Sequence, residues 1–213
     1  MASPETVASP PAPPPSAPQG RVRWRRFAAV MIPATAAGGV LVALTAQGVL
    51  AAQFSISGIA FTVTADKLDG TGFEQFGSLD NTAPGSPNLT ATGGQQIVMV
   101  SAIQSAQLTN LCQSVNLGAI NLVLRAGGST PVQATNLVVD SDQLSGDASF
   151  TNISIGQDAS TLSEVPGVTG PLGDFGQQSD HVTINNLRQD NYATTAASFT
   201  LPGLSMSFQS NGC

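Results

Sequence analysis

The stretch QQIVMVSAIQSAQLTNLC, residues 95–112, decides the fold class. It opens on Ile97-Val98-Met99-Val100, an apolar patch that is short and β-branched. Such a patch suits a strand buried on both faces; an apolar helix needs a longer run. The stretch closes on Leu108-Thr109-Asn110-Leu111. Side chains of a strand alternate between its faces, so apolar residues three apart cannot share a face of a regular strand. The strand has to change phase inside this motif. Asn suits the change, because it tolerates the left-handed backbone of a corner or bulge better than most residues. The same pattern returns in Ala134-Thr135-Asn136-Leu137, Phe150-Thr151-Asn152-Ile153 and Ile184-Asn185-Asn186-Leu187. The four motifs are 26, 16 and 34 residues apart, which fits no single repeat length. A β-solenoid therefore ranks below a twisted β-sandwich or an open, groove-like β-fold.

Reading outward, Gln53–Asp66 alternates, with Phe54 and Ile56 in one phase and Ile59, Phe61, Val63 and Ala65 in the other. A turn or bulge at Ser57-Gly58 separates them. Lys67–Gly72 reads as a turn cluster, Phe73–Leu79 as a short strand and Asp80–Gly94 as a loop. Beyond Cys112, strands are expected at Val115–Leu124, Val132–Asp140, Asp147–Ile155, His181–Arg188, Ala193–Leu201 and Leu204–Gln209. Gly156–Gln178 reads as a long loop, and no helix is expected after Ala52. Residues 53–213 are thus expected to form one all-β domain, long enough to bury a core.

The chain before this domain is of another kind. Residues 1–20 hold seven prolines and no apolar periodicity, so they read as a disordered or polyproline II leader. Residues 21–52 place Arg21, Arg23, Arg25 and Arg26 ahead of 26 uncharged residues. That is enough for a helix to cross a bilayer, which takes about 20 residues. The arginines keep the leader cytoplasmic and send residues 53–213 outward. Both a signal peptide and an uncleaved anchor fit. The length favours an anchor through residues 27–52; the exit Val49-Leu50-Ala51-Ala52 with Pro33, Gly38 and Gly39 favours cleavage. Either way the domain is exported, extracellular or held at the outer face of the plasma membrane.

Residues 53–213 carry 3 basic and 12 acidic side chains, a net charge of −9. That balance excludes nucleic acid and anionic membrane surfaces as partners. Cys112 and Cys213 are the two cysteines of the chain. In an oxidising compartment they most simply form one disulfide that docks the C-terminus. A metal pair would need more ligands than two cysteines and one histidine supply.

Several segments together resemble a family of exported actinobacterial proteins of unknown function, some of whose members carry the label "cholesterol esterase". They are Phe61–Phe73 (FTVTADKLDGTGF), Asn110–Val115 (NLCQSV), Phe150–Gly156 (FTNISIG), Phe175–Asp180 (FGQQSD) and Ala193–Ala196 (ATTA). The resemblance runs from Trp24 to about Phe208. It implies an exported protein and brings no catalytic residues with it.

An esterase would need a nucleophile, a base and an acid. The G-x-S-x-G elbow is absent; Gly203-Leu204-Ser205-Met206-Ser207 lacks its second glycine, and Gly77-Ser78-Leu79 lacks the Asp of a GDSL motif. His181, beside Asp180, is the single base candidate. Asp140, Asp142 and Asp147 with Gly146 outline an acidic turn, but Leu144 stands where a calcium loop needs an oxygen ligand. No catalytic, cofactor or metal residue is therefore assigned. The function expected is that of a non-enzymatic cell-envelope protein binding a partner protein or an apolar, lipid-like ligand. A lipid-ester hydrolase using His181 and a structural surface component assembling through sheet edges are the alternatives.

Overall fold

Among the described residues, nine strands and one turn of 3-10 helix follow one another. They are β1 (Phe61–Asn81), β2 (Gln95–Thr109), β3 (Leu111–Asn116), β4 (Asn121–Ala126), β5 (Val132–Thr151), β6 (Ser154–Asp158), the 3-10 turn Ala159–Thr161, β7 (Phe175–Thr195), β8 (Ser198–Thr200) and β9 (Ser205–Gln209). The structure is a computed structural model that describes residues 55–89 and 93–213. The expected leader (1–20) and the signal or anchor segment (21–52) lie outside the described residues.

The all-β, antiparallel fold is as the sequence leads one to expect. β1 pairs with β2, β2 with β5, β5 with β7, and β7 returns to β1, so the sheet rolls up and closes. The stagger of the closure is large. Thr71 lies opposite Ser105 and, through it, Thr135 of β5; in the other direction it lies opposite His181 and, through it, Thr151. Closing so few strands over such an offset requires steeply tilted strands, which widens the interior enough to hold side chains. β3 continues β2 along β1 in one unbroken register, from Asn81↔Gln95 to Phe61↔Val115. β8 continues the end of β7 along β5, in register from Val138↔Thr195 to Gln133↔Thr200.

The four Asn motifs are where the strands turn. Asn110, Asn136, Asn152 and Asn186 have φ of 54°, 46°, 54° and 54°, and are the non-glycine positive-φ residues among those described. At Asn136 the pairs Ile103↔Leu137 and Ser105↔Thr135 keep one register, so the motif is a corner with no inserted residue. At three of the corners both apolar residues turn inward: Leu108 and Leu111, Ala134 and Leu137, and Ile184 and Leu187 are all buried, whereas at Asn152 Phe150 is half-buried and Ile153 is exposed. Three of the Asn side chains donate from Nδ2 to carboxylates: Asn110 to Asp66 (2.5 Å), Asn152 to Asp180 (2.7 Å) and Asn186 to Asp147 (2.8 Å).

Several segments differ from the sequence reading. Ile97–Val100 is not buried on both faces, since Val98 is buried and Ile97 is 75% exposed. Gly156–Gln178 is not all loop: it holds the end of β6, the 3-10 turn and the first residues of β7. Lys67–Gly72 is no turn but the middle of the 21-residue β1. Val115–Leu124 is a hairpin, split between β3 and β4. The acidic turn near Asp140–Asp147 is a bulged stretch inside the 20-residue β5, with register shifts at Asp140/Ser141, Ser141/Gln143 and Ser145/Asp147. His181–Arg188 belongs to the 21-residue β7, which runs on to Thr195.

The interior is packed by Val63, Leu68, Phe73, Ile103, Leu108, Leu111, Val132, Leu137, Val182, Ile184 and Leu187, among others. A cavity of about 40 Å³ remains, bordered by Phe73, Ile103, Leu137 and Ile184 among others and by the polar Ser101, Gln113, Gln189, Asn191 and Thr194. A second, smaller cluster joins Phe76, Val98 and Val100 to Ala159 and Leu162 of the segment after β6.

Candidate functional site

His181 is half-exposed in a polar surface group. Its Nε2 lies 3.4 Å from Asp69 Oδ1 and 3.4 Å from Thr183 Oγ1. Thr183 Oγ1 also donates to Asp69 Oδ2 at 3.4 Å, and Lys67 Nζ sits 2.7 Å from the same oxygen. The lysine, foremost, holds the Asp69 carboxyl below its usual range. A hydrolytic triad needs the acid on one ring nitrogen and the nucleophile on the other. Here both partners meet Nε2. Ser205 and Ser207, the nearest match to a nucleophile elbow, stand on β9 opposite Arg125 and Val123 of β4, while His181 lies between β1 and β5.

The carboxylates of the bulged stretch point to separate partners. Asp142 accepts from Tyr192 Oη (3.4 Å) and Asp147 from Asn186. Asp140 hydrogen-bonds Asp80; burial, and then the Asp80 charge, push it up to about 7. Among the described residues no three His, Cys, Asp or Glu side chains converge on one point.

Glu74 escaped the sequence reading. It is 0% exposed, and its Oε1 accepts the Val165 N–H at 2.7 Å while Oε2 has no partner. Desolvation raises its pKa above the usual value. The alternation of β1 puts Glu74 on one face with Gly72 and Phe76, and the 159–174 segment lies over that face at Glu164 and Val165.

A further surface is apolar. In antiparallel strands, residues directly opposite one another point to the same face. Register places Phe61, Val115, Leu122 and Phe208 in one row across β1, β3, β4 and β9, and Gln113, Leu124 and Met206 in the next. The row after that, Leu111 and Ala126, is buried core. One face thus begins inside the rolled sheet and continues into solvent, where Met206 is 58% and Phe208 65% exposed. Leu117, Ile120 and Leu204, at the β3–β4 tip and just before β9, are exposed as well. A cleft of about 350 Å³ lined by Phe61, Gln113, Tyr192, Thr194 and Phe199 opens beside it.

The opposite face of β3 and β4 is covered by the C-terminus. Cys112 and Cys213 form the expected disulfide, with Cα atoms 6.0 Å apart. Cys213 N–H donates to Ser114 Oγ (2.9 Å), Asn121 Nδ2 to Ser210 O (3.1 Å) and Arg188 Nη1 to Cys213 O (3.2 Å). Val123, beneath this tail, is 1% exposed. The alternation Leu204-Ser205-Met206-Ser207-Phe208 marked β9 as a strand; that its apolar side faces solvent depends on what lies next to it, which local pattern does not reveal.

No curated protein and no solved structure matches this chain. The model of a family of unknown function (DUF6230) matches residues 57–213, which include every strand and both cysteines. The chain belongs to that family.

Proposed function

We propose that this protein is exported and acts at the cell envelope by docking a partner protein on the apolar face of β3, β4 and β9, without catalysis. One observation carries the reading: a face continuous with the core stays uncovered at Leu204, Met206 and Phe208, while the tail covers the opposite face. Contiguous exposed apolar surface of this kind marks interaction sites on soluble domains. The basic, then uncharged, residues 21–52 support the compartment. A lipid cargo inside the rolled sheet is disfavoured, since the cavity of about 40 Å³ has room for a few waters. Drug-sized ligands occupy roughly 300–1,000 Å³. The test is in-cell photocrosslinking with the probe at Phe208, and at Thr183 as a control on the His181 surface. Discrete adducts from position 208 that vanish in Leu122→Asp are expected; equal labelling from both positions would overturn the reading.

A further inference from the structure

We infer that the partner on this face is a second copy of the chain, added edge to edge through β9 in antiparallel register. The inference deepens the reading above and rests on it.

β9 ends the sheet. Among the described residues, in the order β6-β7-β5-β2-β1-β3-β4-β9, it pairs with β4 alone. An edge strand offers unpaired N–H and C=O groups, and soluble proteins usually guard such edges with Lys, Pro, a bulge or an inward charge. β9 has none of these: its residues are Ser205, Met206, Ser207, Phe208 and Gln209, and its pairing with β4 shows no register shift. The opposite edge is better guarded. β6 is bulged between Ile155 and Gln157 and ends at Asp158.

Two observations choose a second copy over another partner. The first is charge. Residues 53–213 carry a net charge of −9, yet residues 191–213 contain no Asp, Glu, Lys, Arg or His. The C-terminal Cys213 is held by Arg188 on the opposite face. Two copies of an acidic protein repel each other over most of their surfaces. They approach at lower cost along β9, whose own residues carry no charge, with Arg125 opposite Ser205 and Asp66 in the cleft by Gly203 as the adjoining charges. The second is sequence symmetry. Leu204-Ser205-Met206-Ser207-Phe208 reads as large, small, large, small, large in both directions. Antiparallel pairing about a two-fold axis at Met206 sets Leu204 against Phe208, Ser205 against Ser207 and Met206 against itself. Such an interface is self-complementary, as a two-fold dimer requires. It joins two sheets and adds the apolar row of one copy to that of the other. The contact is short beside a permanent interface, which buries upward of about 2,000 Å². The dimer therefore forms and dissociates with concentration.

The experiment is sedimentation velocity of the purified full chain over a graded concentration series, with the variants Met206→Lys and Met206→Glu. Met206 is more than half exposed, so both variants should fold, which retention of the Cys112–Cys213 disulfide and an unchanged far-UV spectrum would verify. The wild type should shift from monomer to dimer. Each variant alone should self-associate at least about tenfold more weakly, because like charges face each other across the axis. An equimolar mixture of the two should regain the dimer, since only a pairing of position 206 with position 206 lets Lys meet Glu. A wild type that stays monomeric throughout, or a mixture that associates no better than its components, would overturn the inference. Position 208 adducts of a mass other than two chains would then still support the docking face, whereas loss of both would remove the face itself.

Discussion

Asn186 does two things at one position. Its backbone takes a left-handed φ of 54° and its side chain holds Asp147 at 2.8 Å. Alanine would face the left-handed penalty of about 1–2 kcal/mol and lose a hydrogen bond to a carboxylate. We expect Asn186→Ala to lower unfolding stability by about 2–3 kcal/mol, read from urea midpoints. Asn136 has the same backbone (φ 46°) and no side-chain hydrogen bond among the described residues, so Asn136→Gly should cost under about 1 kcal/mol. Equal losses at the two positions would show that the corner, not the Asn–Asp bond, carries the effect. Asp140 contributes at residue scale through pH. Its folded pKa, about 7, lies above the ordinary 3.8 because burial, foremost, and the Asp80 charge disfavour the anion. The folded chain thus keeps a proton that the unfolded chain has already released. The contribution of this group to stability is fully present below about pH 4 and is lost as pH rises through 7. Asp80 and Glu74, also raised, act in the same direction, while Asp69 acts oppositely, so the wild-type curve alone does not isolate Asp140. Asp140→Asn should flatten the difference between pH 4 and pH 8 by about 1–2 kcal/mol after solvent screening. A variant with unchanged pH dependence would show that Asp140 does not hold the retained proton.

At the scale of elements, two segments are tied to the sheet by very different means. The segment Ala159–Asp174 rests on β1 through apolar contacts of Ala159 and Leu162 and through the Glu74 carboxyl beneath Val165. Gly72, with φ 65°, belongs to the same docking: a Cβ there would lie 2.7 Å from Glu164 O. Glu74→Gln keeps an acceptor for the Val165 N–H and removes the charge, so the protein should gain about 1 kcal/mol at pH 8 and nothing at pH 4. Glu74→Ala leaves that N–H buried without its acceptor and should cost about 1–3 kcal/mol at either pH. Limited proteolysis within 162–174 gives the local readout, with faster nicking expected in the alanine variant only. The C-terminal tail is tied covalently, across a sequence separation of 101 residues. Chain entropy alone assigns such a loop an upper figure of about 4–5 kcal/mol. The double variant Cys112→Ser, Cys213→Ser should lose about 2–4 kcal/mol and expose Val123, with the largest rise in amide exchange on β4. Exchange rising uniformly over all strands would mean that the tail has no local role.

The described strands form a closed circuit, and closure separates what was legible in the sequence from what was not. The corners were legible, because a left-handed Asn between apolar residues three apart is a local demand. The disulfide was legible from the count of cysteines and the expected compartment. The Lys67–Gly72 segment was misread for a tertiary reason: Asp69-Gly70 looks like a turn, but Gly70 is a place where a Cβ would come within 2.8 Å of Ile103 and 3.1 Å of Val182. Its lack of a side chain lets β2 and β7 pack across β1. The partnership of β1 with β7 joins Phe61 to Asn191, far beyond any local pattern, and the exposure of the β9 face follows from it only once every other strand has found its place. The same long-range pairing makes a prediction about folding. β1 is made first, yet it needs β7, and the core needs Val182, Ile184 and Leu187 from that strand. Non-local pairings must absorb loop-closure entropy before any contact rewards them. A chain ending at Thr151 keeps β1, β2 and β5 but cannot close, and should stay unfolded, with no cooperative thermal transition. A chain ending at Thr195 completes the circuit while lacking β8, β9 and the disulfide. It should fold cooperatively at a lower Tm than the full chain. Calorimetry of the two truncations decides between them: cooperative melting of the shorter one would mean that the β1–β2–β5 sheet is the stable unit and that β7 only caps it.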